Sequence, residues 1–530
     1  GYDVTDYYGI EPDYGTMADF QEFLDEAHAR GIRVILDYVM NHSSSQHPWF
    51  TQSQNSQNGF RDWYVWSDTN PGFDGPWGQT VWHWANGDYY YGLFWGGMPD
   101  LNYDHPPVRE EMMEIAQYWI DLGVDGYRLD AIKYLDEDGT ILENTPETFE
   151  ILEELNDVVT TADEDAILVG EVWSSTESIA PYVINDRLDL CFEFGLAGSI
   201  LNAVNGDAPG SVYSQLATVQ AAYPKLQYAT FLTNHDINRV FDQLGNDETK
   251  MKQAAAAYLT LPGVPFIYYG EEIGMEGTGP DEIKRRPMQW TGESDGGFTT
   301  GSPWISLGDN VATNNVEEME EDPNSLLNFY REFVHLRNDL GPLRRGYALP
   351  LYGNDDTVLH YIRIFDGEAV ATVINLGDTP AQVSMDLPIS TLGAGDYVVT
   401  DMREEMVLGD LEISGTGSFS DWMPVEEIGP GEVKVFAIGS ESPLSISGGD
   451  RPQSDVTLYP NPATESIFLK SEQSDFTGNY RIFDASGRLM QSGPARGNNF
   501  AIDLSNLNGG IYFVQVETEE GMVVKRFVSQ

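Results

Sequence analysis

The sequence predicts an α/β protein built on a (β/α)8 TIM barrel with an inserted subdomain, followed by two all-β sandwich domains. Three observations lead there. Amphipathic helical stretches alternate with short apolar runs over the first 270 or so residues, and polar residues gather after the carboxyl ends of several of those runs. Past Gly341 the pattern changes to short alternating runs divided by Gly, Asp and Pro.

Met17 to Arg30 carries apolar residues at Met17, Phe20, Phe23, Leu24 and Ala27, with Thr16 and Asp19 as a capping box and Gly31 as the stop. Ile32 to Val39 then reads as a parallel strand covered on both faces. Val108 to Leu122 and Val124 to Leu129 repeat the pair, and Ala166–Val172, Leu188–Phe194, Tyr228–Leu232 and Val264–Tyr269 continue the series. Asp37, Asn41 and His42 follow the first strand, Arg128 and Asp130 end the second, Glu171 ends the third, and His235 and Asp236 end a later one. A doubly wound sheet would gather its site at one switch point behind a Gly-rich phosphate loop, and no such loop follows any strand.

The boundaries follow from these shifts: a barrel over 1–340, a subdomain inserted at 43–105, a β-sandwich over 341–439, a Ser/Gly/Pro linker at 440–455 and a second all-β domain over 456–530. Seven of the twelve tryptophans fall in the insertion, where most are expected to build its own small core.

With 85 acidic against 28 basic residues, the net charge of −57 repels phosphate backbones and anionic membrane surfaces, which excludes nucleic acid as a partner. No stretch approaches the ~18 apolar residues of a membrane span. The single cysteine, Cys191, rules out a disulfide framework and a Cys-type metal site. The chain opens without Met or an apolar leader, as if cut from something longer.

Three carboxylates, Asp130, Glu171 and Asp236, with Arg128, His42 and His235, suit nucleophilic and acid/base chemistry. Glycoside hydrolysis needs one carboxylate to attack or activate water and a second, protonated, to donate to the leaving oxygen. Arg128 sits two residues before Asp130, on the same strand face, and is expected to hold Asp130 ionised; Glu171 would need the opposite environment. A single Asp at a strand end is more often a cap or an ion-pair partner, so the weight rests on the motifs together.

Asp37-Tyr-Val-Met-Asn41-His42, Gly126-Tyr-Arg128-Leu-Asp130, Gly170-Glu171-Val-Trp and Thr233-Asn234-His235-Asp236 resemble the four signature regions of the α-amylase family of glycoside hydrolases, in order. Met98-Pro-Asp100-Leu-Asn102 resembles its fifth region, and Gly263-Val-Pro-Phe-Ile-Tyr-Tyr-Gly270-Glu its last-strand region. The resemblance runs from Gly1 to about Ser440. It implies Asp130 as nucleophile, Glu171 as acid/base and Asp236 as transition-state stabiliser. It also implies sugar contacts from Tyr2, His42, Arg128 and His235, and a leaving-group-side contact from Lys133. The family's first two barrel strands precede Gly-Tyr-Asp, so six of eight strands are expected here. Asn41 and Asp100 match positions that bind calcium in many α-amylases, which leaves calcium open as a cofactor; no organic cofactor is implied.

Ala131 after the nucleophile resembles enzymes that prefer α-1,4 bonds, so the implied substrate is starch or maltooligosaccharide. An α-glucosidase or transglycosylase of the same family is the rival, and a non-catalytic glycan-binding protein the rival from another class. The segments Leu458-Tyr-Pro-Asn-Pro-Ala463, Tyr480 to Arg488, Leu507 to Tyr512 and Lys525-Arg526-Phe527 are similar to the sorting domain of type IX secretion. That implies the type IX machinery as a partner and a secreted or cell-surface location in a Gram-negative bacterium.

Overall fold

Thr16 caps the helix Met17–Ala29 in the expected reciprocal way, its hydroxyl accepting from the Asp19 amide while the Asp19 carboxylate accepts from the Thr16 amide. In this computed structural model, residues 2–224, 226–440, 456–471, 476–484, 487–518 and 521–529 are described. The linker expected at 440–455 lies outside them apart from Ser440. The chain packs as two compact units, Gly1–Phe192 and Glu193–Gln530.

In the first unit four parallel strands, β1 (Leu36–Tyr38), β2 (Gly126–Leu129), β3 (Ile167–Gly170) and β4 (Leu190–Phe192), lie side by side in chain order. The helices Pro106–Asp121 and Pro146–Ala162 connect them and bury Val108, Met112, Ile115, Ile151 and Leu155. Register pairs Asp37 with Arg128 and Leu129 with Gly170. Gly126 opens β2 at φ +138°, where an added Cβ would stand 2.0 Å from the Ile167 carbonyl oxygen. Only glycine lets the two strands approach there.

The insertion carries a small antiparallel sheet of Trp66–Ser67, Asp88–Tyr91 and Trp82–Ala85. Trp49 stacks on Tyr7, Trp66 on Phe50, and Trp63 and Trp82 meet other rings edge-on or tilted. Trp77, Trp84 and Trp95 instead stay more than half exposed. Cys191 is fully buried.

In the second unit β5 (Tyr228–Thr230) and β6 (Val264–Pro265) form another parallel pair, with the helices Gly210–Ala222 and Glu248–Thr260. A six-stranded antiparallel sheet built from Tyr347–Pro350 to Val433–Gly439 faces a three-stranded one around Leu349, Ile362, Val373, Met385, Trp422 and Phe436. The alternating runs expected past Gly341 do not translate into one wet face at Val358–Phe365, where seven of eight residues are buried. The second face packs on the barrel-side helix, where the Tyr361 hydroxyl reaches the Ala257 carbonyl and Arg363 that of Thr260.

The C-terminal module is two sheets around Ile467, Leu469, Ile482, Val514 and Phe527. Its four-stranded sheet is covered on both faces, because Phe513, with Phe483, Ile511 and Val524 beside it, packs into the core of the preceding sandwich. No helix among the described residues is long and apolar enough to cross a membrane.

Candidate active site

In the first unit, the β1–β2–β3 register positions two of the expected carboxylates. The Asp130 amide donates to the Tyr38 carbonyl and the Glu171 amide to the Leu129 carbonyl, so the ladder runs one residue beyond each strand and fixes both carboxylates at the same edge. Both are more than nine-tenths buried.

Arg128 lies between them and Asp37. Its Nη1 is 2.7 Å from Asp37 Oδ1 and 2.8 Å from Asp130 Oδ1, and its Nη2 is 2.7 Å from Glu171 Oε2. Arg128 was expected to act on Asp130; strand pairing places its guanidinium among three carboxylates. Burial pushes the Asp130 carboxyl up to about 7, with Arg128 pulling it down and Glu171 and Asp37 pushing it further up. The residue after it, Ala131, is left-handed at φ 48°, and its amide points to Glu171 Oε2 at 3.4 Å.

Tyr2 donates to Asp37 Oδ2 at 2.6 Å, and the Arg128 guanidinium carbon stands 5.7 Å from its ring centre. His42 is buried, with Nε2 3.2 Å from the Tyr2 carbonyl and Nδ1 3.4 Å from Asn41 Nδ2. Those partners assign the proton to Nε2. Burial lowers its pKa to about 4, so it acts as a neutral donor. Lys133 is buried as well, its ammonium 2.8 Å from Glu143 and donating to the Trp173 carbonyl at 3.2 Å. It ties down the loop after Glu171, and leaves Trp173 half exposed.

In the second unit, taken by itself, a charged group forms after β5. Asn234 Oδ1 accepts from the amides of Asp236 and Ile237, which turns the chain. Asp236 then meets His235 Nε2 at 3.2 Å on Oδ2 and Arg285 Nη2 at 2.7 Å on Oδ1, while Lys284 donates to its carbonyl. Burial alone would raise Asp236; the bonds and charges of His235 and Arg285 outweigh it and hold the carboxyl at about 2. Arg285 went unnoticed in the sequence because it is 49 positions from its partner on an irregular loop. Asp37 was visible as a polar residue of the first strand region and of a signature segment, but not as a partner of Arg128.

Asn41 and Asp100 do come together: Asn41 Nδ2 donates to Asp100 Oδ2 at 3.1 Å and the Leu93 amide to Oδ1. Among the described residues the buried Asn41 Oδ1 finds no hydrogen-bond partner. An orphaned amide oxygen beside a buried carboxylate fits a hard cation in donor type. Among the described residues no group of three or more His, Cys, Asp or Glu side chains surrounds a metal-sized point.

Parallel β/α strands carrying buried carboxylates at their carboxyl ends define a barrel-type glycosidase. The match agrees: residues 1–346 fit the alpha amylase catalytic domain, and the chain belongs to the α-amylase family of glycosidases and transglycosylases. Residues 457–530 match the secretion system C-terminal sorting domain, of type IX, whose signal implies a secreted or cell-surface protein. Alpha-amylase 3 of Dictyoglomus thermophilum is 40% identical over 384 residues, covering 71% of this chain and 74% of that protein. A trehalose synthase of Pimelobacter sp. is 34% identical over 452 residues, covering 73% and 79%. The crystal structure of the alpha-amylase from H. orenii superposes with a TM-score of 0.69 at 35% identity, over 83% of this chain and 87% of that one.

Proposed function

We propose that the chain is a retaining α-glucan hydrolase that cleaves α-1,4-glucosidic bonds of starch or maltooligosaccharides through a covalent glycosyl-enzyme. Asp130 attacks the anomeric carbon while Glu171 gives its proton to the leaving oxygen. Glu171 then takes a proton from water, whose oxygen displaces Asp130 and restores the α configuration. Asp236, kept ionised by His235 and Arg285, stabilises the positive charge that develops on the sugar. Tyr2, His42, Arg128 and His235 bind the ring, and Lys133 holds the leaving-group side. The observation that carries this reading is the meeting of two buried carboxylates, Asp130 and Glu171, at one arginine.

Relatives carrying the name trehalose synthase keep transglycosylation as the second reading, since a sugar hydroxyl and water compete for one glycosyl-enzyme. Incubation with soluble starch and with short maltooligosaccharides, read by NMR for anomeric configuration and by chromatography for length, separates them. α-Configured mid-chain products support the amylase. Single glucose points to an α-glucosidase, and rearranged disaccharides to a transferase. Binding without cleavage would leave a glycan-binding protein.

Asn41 and Asp100 would hold a calcium ion, which would supply positive charge beside the buried Asp100. Calcium should raise the unfolding temperature of EDTA-treated protein, and Asn41→Ala should remove that increase. An equal response in both proteins rules the site out.

A further inference from the structure

Among the described residues, three arginines of the second unit make no ion pair with a carboxylate: Arg337 and Arg363, both buried, and Arg526, partly buried. Arg337, on the helix Leu326–Asp339, donates to the carbonyls of Leu259, Leu261 and Gly263. Arg363 donates Nε to the Gly346 carbonyl at 2.9 Å and Nη1 to that of Thr260 at 2.6 Å. Arg526, from the last strand of the sorting module, places its guanidinium carbon 4.8 Å from the Tyr347 ring centre. Among the described residues, the charges acting on the three come from tyrosines and from Arg337 on Arg363. Burial, aided by repulsion from Arg337, brings Arg363 down to about 9, still a cation at neutral pH.

Carbonyl oxygens accept from Arg337 and Arg363, and the donors left over lie near one another. Arg363 and Tyr228 are fully buried, yet among the described residues Arg363 Nη2, the Tyr228 hydroxyl and Arg526 Nε find no hydrogen-bond partner. Tyr228 packs on Gly263, in the same turn whose carbonyls take Arg337 and Arg363. Arg526 covers Tyr347, the neighbour of the Gly346 that takes Arg363. The charge of Glu193 also reaches Tyr228, but that carboxylate is engaged by Tyr223, Gln215 and the Gly195 amide.

Unpaired buried cations and unmade hydrogen bonds are both costly, and one negative ion relieves both. In a chain of net charge −57, anions are repelled from the general surface, so only a built cationic pocket can retain one. We propose that Arg363, Arg526 and Tyr228 form an enclosed site for a small monovalent anion of chloride size, which joins barrel strand β5, the sandwich and the sorting module. Three donors suit a spherical halide; a phosphate would leave oxygens unmet. The ion couples sorting-module docking to the enzyme body.

The test uses the full chain at fixed pH and ionic strength. Its unfolding temperature should be about 2–4 °C higher in sodium chloride or bromide than in sodium gluconate, saturating with halide concentration. Tyr228→Phe, which keeps the ring, and Arg526→Gln should each abolish that difference while leaving starch cleavage unchanged. Crystals grown in bromide should give an anomalous peak within hydrogen-bonding distance of Arg363 Nη2. Equal unfolding temperatures in all three salts would overturn the site. So would a halide effect that persists in both variants, which marks an adventitious ion only, or an ordered water with no bromide peak.

Discussion

Arg128 Nη2 lies 2.7 Å from Glu171 Oε2, so the guanidinium expected to serve Asp130, the proposed nucleophile, is equally the partner of Glu171, the proposed acid/base. Arg128→Met removes the cation but keeps the apolar stem, leaving Asp37, Asp130 and Glu171 without it. Asp130 is already lifted to about 7 by burial, and losing the cation lifts it further. The acidic limb of kcat/KM should then move to higher pH, and activity at neutral pH should fall by roughly 10²–10³, an effect of the size found for removed active-site charges. A pH–rate profile checks both; an unmoved limb means that Arg128 only binds sugar.

Asp130→Asn should abolish turnover and leave oligosaccharide binding measurable by calorimetry, because the ring shape and contacts remain. Activity within about tenfold of the parent, a barrier change of only ~1.4 kcal/mol, contradicts the assignment. The substitution also has a stability signature. A carboxyl with a raised folded pKa contributes stability that is fully present below its ordinary value near 4 and is lost as pH rises through about 7. The asparagine variant should match the parent near pH 4 and unfold a few degrees higher, roughly 2–4 °C per kcal/mol recovered, near pH 8. Scanning calorimetry at the two pH values reads the difference.

How far the sequence reached depends on the range of each interaction. The strands, the Thr16 capping box and the shared face of Arg128 and Asp130 are local, and periodicity reveals them. The bond from Arg128 to Asp37 depends on which residues two neighbouring strands set side by side, and nothing within either strand fixes that register. Arg285 meets Asp236 from an irregular loop that carries no periodic signal. Val358–Phe365 reads as half-exposed because Tyr361 and Arg363 look polar; they are buried because helix carbonyls receive them. Family motifs pointed to Asp130, Glu171 and Asp236, but not to the cations that set their protonation.

Arg285→Ala isolates one such cation. Asp236 would keep His235 but lose the bond on Oδ1, so its carboxyl should rise from about 2 toward the ordinary range near 4. It stays ionised at neutral pH. The expected loss of kcat, about 10²-fold, therefore comes from a carboxylate free to rotate away, with KM changed less than kcat. Lysine at this position should restore part of the loss, since it returns charge without the planar fork. A variant impaired only in KM would make Arg285 a substrate contact instead.

Phe513 belongs by sequence to the sorting module, yet it is fully buried in the core of the preceding sandwich, its ring centre 6.2 Å from that of Tyr347. Truncating a buried phenylalanine costs about 3–5 kcal/mol. Since the cavity would open between the two β domains, the cost should fall on both. Phe513→Ala should therefore speed hydrogen exchange in Tyr347–Pro350 and Val358–Phe365 as well as in Gly510–Thr518. If only the module's own strands lose protection, its docking adds nothing to the sandwich and the two fold independently. If both lose protection, removing the sorting module after export would weaken the enzyme it delivered.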